Sequence, residues 1–222
     1  MTPRKKGKLI VFEGIDGSGK GTQAKLLARR LKKEGHRVET LTFPQYGKKT
    51  AGLVEEYLAG TFGDAKEVGP YRASIFYAAD RYDASRQLRK WLNEGAVVVT
   101  DRYMSSNIGH QGGKIRNTAR RAKFFEWLHD LEYNIFGIPK PSAQFLMNVH
   151  PAIATTLRNG RKRKVDIHEA DERHLREAHR AYQAAARQFP GSFTVIKCDK
   201  GGTMRPTDEI HEEVWSYVQK LI

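Results

Sequence analysis

Close to the amino terminus a short apolar run, Leu9 to Phe12, leads directly into Gly14-Ile15-Asp16-Gly17-Ser18-Gly19-Lys20-Gly21-Thr22. A helix-favouring stretch, Lys20 to Glu34, follows until Gly35 stops it. Strand, glycine-rich loop and helix in this order constrain the fold more than any other feature of the chain. Glycines let several backbone N–H groups turn into one concavity, and the helix N-terminus adds positive potential, so the segment suits phosphate groups. Lys20 then supplies a point charge for the β- and γ-phosphates of a nucleoside triphosphate. A lone Gly-x-Gly is commonly a plain turn. Here glycine at both ends, the lysine after it, the strand before it and the helix behind it coincide.

One position departs from the strict pattern. Gly21 stands where a Ser or Thr hydroxyl would touch Mg²⁺, with Thr22 next. An ion at such a loop is expected to keep its waters, held by nucleotide phosphates and an outer-shell carboxylate. Asp16 is also unusual, because a carboxylate beside a phosphate cradle is unfavourable unless it faces a partner such as a sugar hydroxyl or an ion-bound water.

Beyond the loop, short apolar runs alternate with longer amphipathic stretches, the pattern of a βα repeat that builds a parallel sheet. Strands are expected at Leu9–Phe12, Val38–Thr42, Ala96–Thr100, Ala143–Asn148 and Phe193–Cys198. Helices are expected from Lys20 to Glu34, Gly52 to Leu58, Pro70 to Asn93, Thr118 to Phe136, Pro151 to Arg158, His168 to Phe189 and Thr207 to Leu221. The fold class is therefore α/β, a doubly wound five-stranded parallel sheet flanked by helices. One domain over residues 1–222 is expected, with a flexible basic end at 1–7. Gly112–Arg116 and Asn159–Val165 carry glycine and basic residues without apolar periodicity, and read as mobile loops.

Composition narrows the partners. Among 222 residues, 39 Lys and Arg against 25 Asp and Glu leave a net charge of +14, which favours polyanions: nucleic acid or phosphorylated small molecules. Part of the excess lies at Arg4, Lys5, Lys6 and Lys8, part at Arg158, Arg161, Lys162, Arg163 and Lys164. No apolar stretch approaches the ~20 residues that span a bilayer, and none follows the basic start as a secretion signal would. The single cysteine, Cys198, makes no internal disulfide and suits a reducing cytosol.

Three further segments carry groups suited to a second anion and its base. They are Phe43-Pro44-Gln45-Tyr46 after the second strand, Ile75-Phe76-Tyr77-Ala78-Ala79-Asp80-Arg81 within the long helix, and Asp101-Arg102-Tyr103 after the third strand. The last continues through Ser105, Ser106, Asn107, His110, Gln111 and Gly112. Ligands of open α/β sheets bind outside the carboxyl ends of the strands, which gathers the first and third segments beside the glycine loop. A phosphoryl-transfer enzyme needs an acceptor site there, opposite the donor.

Taken together, the loop Gly14 to Thr22, Phe43-Pro44, Ala79-Asp80-Arg81, and Asp101-Arg102-Tyr103 with Ser106-Asn107 and Gln111-Gly112 resemble the thymidylate kinase family. Asp166-Ile167-His168-Glu169 is similar to the segment that closes that family's lid, here 158–168. The resemblance runs from about Lys8 to Leu221 and implies Mg²⁺-dependent transfer of the ATP γ-phosphoryl group to dTMP. It implies ATP contacts from Gly14, Asp16, Gly17, Ser18, Gly19, Lys20, Gly21 and Thr22. For dTMP it implies Asp16, Phe43, Pro44, Tyr46, Tyr77, Arg81, Arg102, Ser106, Asn107, His110 and Gln111. Tyr77 would stack on the base, Arg81 would read its edge, Asn107 and Gln111 would lie beside it, and Arg102 would hold the acceptor phosphate. Lys20, Arg102, Arg161, Asp16 and Asp101 form the expected catalytic group, with Asp101 meeting the metal through water. His110 stands where relatives often carry an aromatic near C2′, and Gln45-Tyr46 where many place an arginine.

The resemblance also implies a cytoplasmic homodimer with no specific nucleic-acid partner. Phe124, Phe125, Trp127, Leu128 and Leu131 either supply the dimer face or pack against the chain's own sheet. The alternatives are another nucleoside monophosphate kinase of the UMP/CMP type, a basic ATP-binding protein acting on nucleic acid, and an inactive relative. The joint presence of Lys20, Asp101, Arg102 and Arg81 speaks against the last.

Overall fold

The computed structural model describes residues 6–159 and 172–222. The lid expected at 158–168, Arg161 within it, and most of the basic end lie outside the described residues or, at 158 and 159, have no described side chain. Among the described residues, β1 (Lys8–Glu13), β2 (Val38–Thr42), β3 (Val97–Asp101), β4 (Ala143–Asn148) and β5 (Thr194–Lys197) form one sheet in the order β2-β3-β1-β4-β5. Every pairing in it is parallel, with Leu9 opposite Val98 and Phe12 opposite both Asp101 and Phe145. The α/β doubly wound expectation is thus met.

The strands alternate their side chains between two helical layers, as a period of two requires. Ile10, Phe12, Val97 and Val99 face the layer of α1 (Lys20–Lys33) and α8 (Thr207–Val218). Leu9, Val11 and Val98 face α3 (Ala65–Asn93), α4 (Ser105–His110) and α5 (Thr118–His129). The remaining helices are α2 (Gly52–Ala59), α6 (Pro151–Asn159) and α7 (Glu172–Gln188), and a small hairpin pairs β6 (Asp199–Lys200) with β7 (Thr203–Met204).

Three segments differ from the sequence expectation. The long helix does not simply begin at Pro70: a capped turn at Ala65 precedes it, with Asp64 and Glu67 forming a capping box, and Gly69 (φ 73°) breaks the two pieces apart. The helix expected to continue from Thr118 to Phe136 widens after His129 into a π-turn, Asp130–Ile135. That wider turn swings Glu132 fully inside. Gly112–Arg116 is not a mobile loop. Gly112–Lys114 is a 3₁₀ turn packed on α7, and a Cβ on Gly113 would stand 2.9 Å from the Ala178 nitrogen. Lys114 Nζ donates to the Tyr57 hydroxyl at 2.8 Å, and burial lowers that ammonium to about 8.

The aromatic stretch of α5 belongs to the core. Phe124, Phe125 and Leu128 are wholly buried against the chain's own residues, so they supply no outer face.

Candidate active site

The glycine loop joins β1 to α1 along a path with positive φ at Gly14, Gly17 and Gly19. Gly17 has φ 85°, and a Cβ there would stand 2.3 Å from the Ala154 carbonyl oxygen, so α6 presses directly on the loop. At Gly21 a Cβ would stand 2.7 Å from Asp101 Oδ2. The carboxylate at the end of β3 thus occupies the space that a Ser or Thr side chain at this position would enter. Asp101 Oδ1 and Ser18 Oγ are buried with no hydrogen-bond partner among the described residues. Thr22 is exposed on the first turn of α1.

Lys20 opens α1 and bends back over the loop, where Nζ donates to the Ile15 carbonyl at 3.3 Å and to Asp16 Oδ1 at 3.2 Å. The same Oδ1 accepts a hydrogen bond from Arg102. Asp16 is therefore partnered by two cations. Burial opposes its charge, but Arg102 and Lys20 outweigh burial and hold the Asp16 carboxyl well below the usual carboxylate range.

Arg102 reaches Asp16 through an uncommon backbone. Its φ is 71°, a left-handed conformation that costs a non-glycine residue on the order of 1 kcal/mol. Two hydrogen bonds hold it: Arg102 N–H donates to the Phe12 carbonyl at 2.9 Å, and the Thr100 hydroxyl donates to the Arg102 carbonyl at 2.8 Å. The second guanidinium nitrogen meets His110 Nε2 at 2.8 Å, and His110 Nδ1 meets His174 Nε2 at 3.2 Å. Burial and the Arg102 charge hold the His110 imidazole well below its ordinary value, so the ring is neutral.

Around Arg102 lies one cavity, outside the carboxyl ends of β1, β2 and β3. Asp16, Phe43, Pro44, Tyr46, Tyr77, Arg81, Arg102, Ser106, Asn107, His110 and Gln111 all line it, joined by Leu58 and His174. Each holds its place for a separate reason. The loop carrying Phe43, Pro44 and Tyr46 is clamped to α3, because Gln45 N–H donates to Asp80 Oδ2 at 2.9 Å and its side-chain amide to the Asp80 carbonyl at 3.2 Å. Gln45 is thus a strut rather than a charge in place of an arginine. Arg81 is buried and gives Nε and one terminal nitrogen to Glu132 at 2.5 and 2.6 Å. Asn107 donates to the Ser74 carbonyl at 3.1 Å and to Glu132 at 3.3 Å, while Gln111 Oε1 is buried without a partner.

Beneath this floor sits Glu13, which terminates β1 and is fully buried. Its carboxyl accepts from Tyr103 N–H at 2.8 Å, Ser106 N–H at 3.1 Å, the Ser106 hydroxyl at 2.8 Å and the Tyr182 hydroxyl at 3.0 Å. Burial still pushes Glu13 up to about 7 against those donors. The group ties β1 to α4 and α7, and so fixes the helix that presents Ser106, Asn107 and His110.

The family model for thymidylate kinase matches residues 12–214. The chain belongs to the thymidylate kinase family. Among relatives, a thymidylate kinase of Mycobacterium tuberculosis is 30% identical over 198 residues, 86% of this chain and 92% of that one. A probable thymidylate kinase of Thermoplasma volcanium is 31% identical over 214 residues, 96% and 98% of the two chains. In fold, the chain is similar to the thymidylate kinase of Candida albicans, with a TM-score of 0.76 at 21% identity, covering 97% of this chain and 92% of that structure.

Sequence reasoning missed Glu13, Glu132, Leu58 and His174. Glu13 had one weak signal, an acid closing an apolar strand. His174 shares a helical face with Ala178 and Tyr182, both buried, at spacings of four and eight. Glu132 had none, since its direction comes from the π-turn.

Proposed function

We propose that this member of the thymidylate kinase family transfers the γ-phosphoryl group of ATP to dTMP, giving ADP and dTDP. One observation carries the reading. Asp16 is bonded at once by Lys20 of the phosphate loop and by Arg102 of the acceptor cavity, so the donor-side and acceptor-side cations meet on a single carboxylate.

Phosphoryl transfer asks little covalent work of a protein and much positioning and charge neutralisation. In this reading the loop N–H groups from Gly14 to Thr22 and Lys20 bind the triphosphate, and Arg102 draws the dTMP phosphate into line. Tyr77 faces the base, and Arg81, held by Glu132, presents its remaining N–H groups to it. Asp101 suits a magnesium ion: it is a single carboxylate with an orphaned oxygen beside the loop, and Ser18 Oγ lies buried without a partner. Such a site would hold the ion through its waters, and the ion would neutralise charge on the β- and γ-phosphates. By the family resemblance an arginine of 158–168, Arg161 first, is assigned to the transferring group; it lies outside the described residues.

We also assign a homodimer. Leu53 of α2 and Ile75 and Tyr82 of α3 are exposed on adjoining helices, which supports an apolar face for a second copy. The buried free thiol of Cys198 is in keeping with the cytoplasm.

The test is ADP release with ATP and Mg²⁺ against dTMP, dUMP, UMP, CMP, AMP and GMP at equal concentration. Turnover on dTMP well above UMP and CMP is expected. Equal turnover on UMP would sink the dTMP assignment, and none on any acceptor would sink the kinase reading.

A further inference from the structure

The hydrogen-bond chain from Asp16 through Arg102 and His110 to His174 has a fixed direction. A guanidinium only donates, so Arg102 requires an unprotonated Nε2 on His110. The neutral His110 ring then carries its proton on Nδ1, which donates to His174 Nε2, so that His174 must present an unprotonated nitrogen too. The two rings lie nearly parallel, 22° apart with centroids at 5.4 Å, and the edge of Tyr182 packs on His110 at 6.3 Å. A Cβ on Gly109 would stand 2.1 Å from the Tyr182 ring, so α4 and α7 pack in close contact beside His110.

We propose that His174 is a positioning residue for the acceptor arginine: by accepting from His110 it fixes the His110 tautomer that holds one guanidinium nitrogen of Arg102, and a proton gained by His174 breaks this chain and leaves Arg102 held by Asp16 alone on its side-chain end. An imidazolium at His174 turns an N–H toward His110, which must then accept through Nδ1. Neutral His110 would then carry its proton on Nε2, facing an Arg102 donor. No arrangement satisfies both contacts. His174 lies in the first turn of α7, so the chain links the start of that helix to the acceptor cavity.

Other charged groups also surround His110. Arg102 and Lys20 oppose a proton on it, Asp16 favours one, and Glu13 reaches it through Tyr182. None of these offers the acceptor that Nδ1–H needs.

The proposal rests on the kinase reading for its kinetic arm and stands apart from it in its spectroscopic arm. In full-length protein labelled with ¹⁵N-histidine, the long-range ¹H–¹⁵N spectrum at pH 8 should show His110 protonated on Nδ1 alone, assigned by its loss in His110→Gln. An Nε2-protonated His110 would overturn the relay. In the kinetic arm, His174→Phe keeps a ring and removes the acceptor, and should raise KM for dTMP about tenfold at pH 8 with a smaller change in kcat, the size expected for one hydrogen bond to a charged group. His174→Gln restores a neutral acceptor that does not titrate. The ratio of KM for dTMP at pH 5.5 to that at pH 8 should be about fivefold or more larger in the wild type than in His174→Gln. The dTMP phosphate and Glu13 titrate alike in both proteins, so the comparison divides them out. Equal ratios, or an unchanged KM in His174→Phe, would overturn the positioning role. The expected spectrum in a chain with no dTMP turnover would instead uphold the relay and sink the kinase reading.

Discussion

Glu132→Leu should be among the most destabilising single changes available in this chain. Arg81 and Glu132 are 2% and 0% exposed, joined by two hydrogen bonds of 2.5 and 2.6 Å, and Asn107 also donates to Glu132. Removing the carboxylate leaves a guanidinium that cannot shed its proton, since burial disfavours the cation but an arginine stays charged at any working pH. Breaking a buried pair in this way costs about 3–5 kcal/mol. For a chain of this size each kcal/mol moves Tm by roughly 2–4 °C, so a fall of about 6–20 °C is expected by calorimetry. The double variant Arg81→Met/Glu132→Leu removes both charges and should recover most of that loss, because an apolar pair of similar volume is often as stable as a buried ion pair. It should nevertheless bind dTMP poorly, having lost the group that faces the base. A Glu132→Leu protein within about 1 kcal/mol of wild type by urea unfolding would show that the buried pair does not hold Arg81 as described. So would a double variant no more stable than the single.

Arg102→Ala should raise KM for dTMP at least tenfold and KM for ATP much less, since charge-assisted hydrogen bonds of about 1.5–3 kcal/mol are lost on the acceptor side; the opposite split in steady-state kinetics would misplace the residue. Gly21→Ser restores the strict loop pattern yet sets a Cβ 2.7 Å from Asp101 Oδ2. It should cost about 1–3 kcal/mol of stability and lower kcat, and a variant with wild-type Tm and turnover would show that the carboxylate yields freely. Glu13 binds its proton more tightly in the fold, at about 7, than at its ordinary value of 4.5. Its contribution to stability is therefore full below pH 4.5 and lost as pH rises through 7, a change of roughly 3 kcal/mol that Glu13→Gln should abolish. Urea midpoints that move in parallel for both proteins between pH 5 and pH 8 would contradict this.

Much of the site could be read from residue order, because each cluster sits at a place that sheet topology fixes. A loop after β1, a pair after β2 and an Asp-Arg after β3 must converge once the strands are parallel and adjacent. Apolar runs likewise gave every strand of the sheet to within a residue or two, most directly for the central strands β1, β3 and β4, which are buried on both faces and have little freedom in composition. Short elements were less legible. Ser105–His110 and Gly112–Lys114 hold their shape through Glu13, Tyr182 and α7 rather than through local propensity, so their sequence resembles a loop.

The chain by itself thus determines a parallel α/β sheet with a phosphate loop at its head, and which side chains can reach that loop's mouth, because periodicity and backbone freedom are local properties. Tertiary structure alone decides the partners: Asp16 with both Lys20 and Arg102, Arg81 with Glu132, and His110 with His174. Apart from the local Asp16–Lys20 contact, these pairs lie 51 to 86 residues apart in sequence, and their groups meet only after the sheet and helices have closed around them.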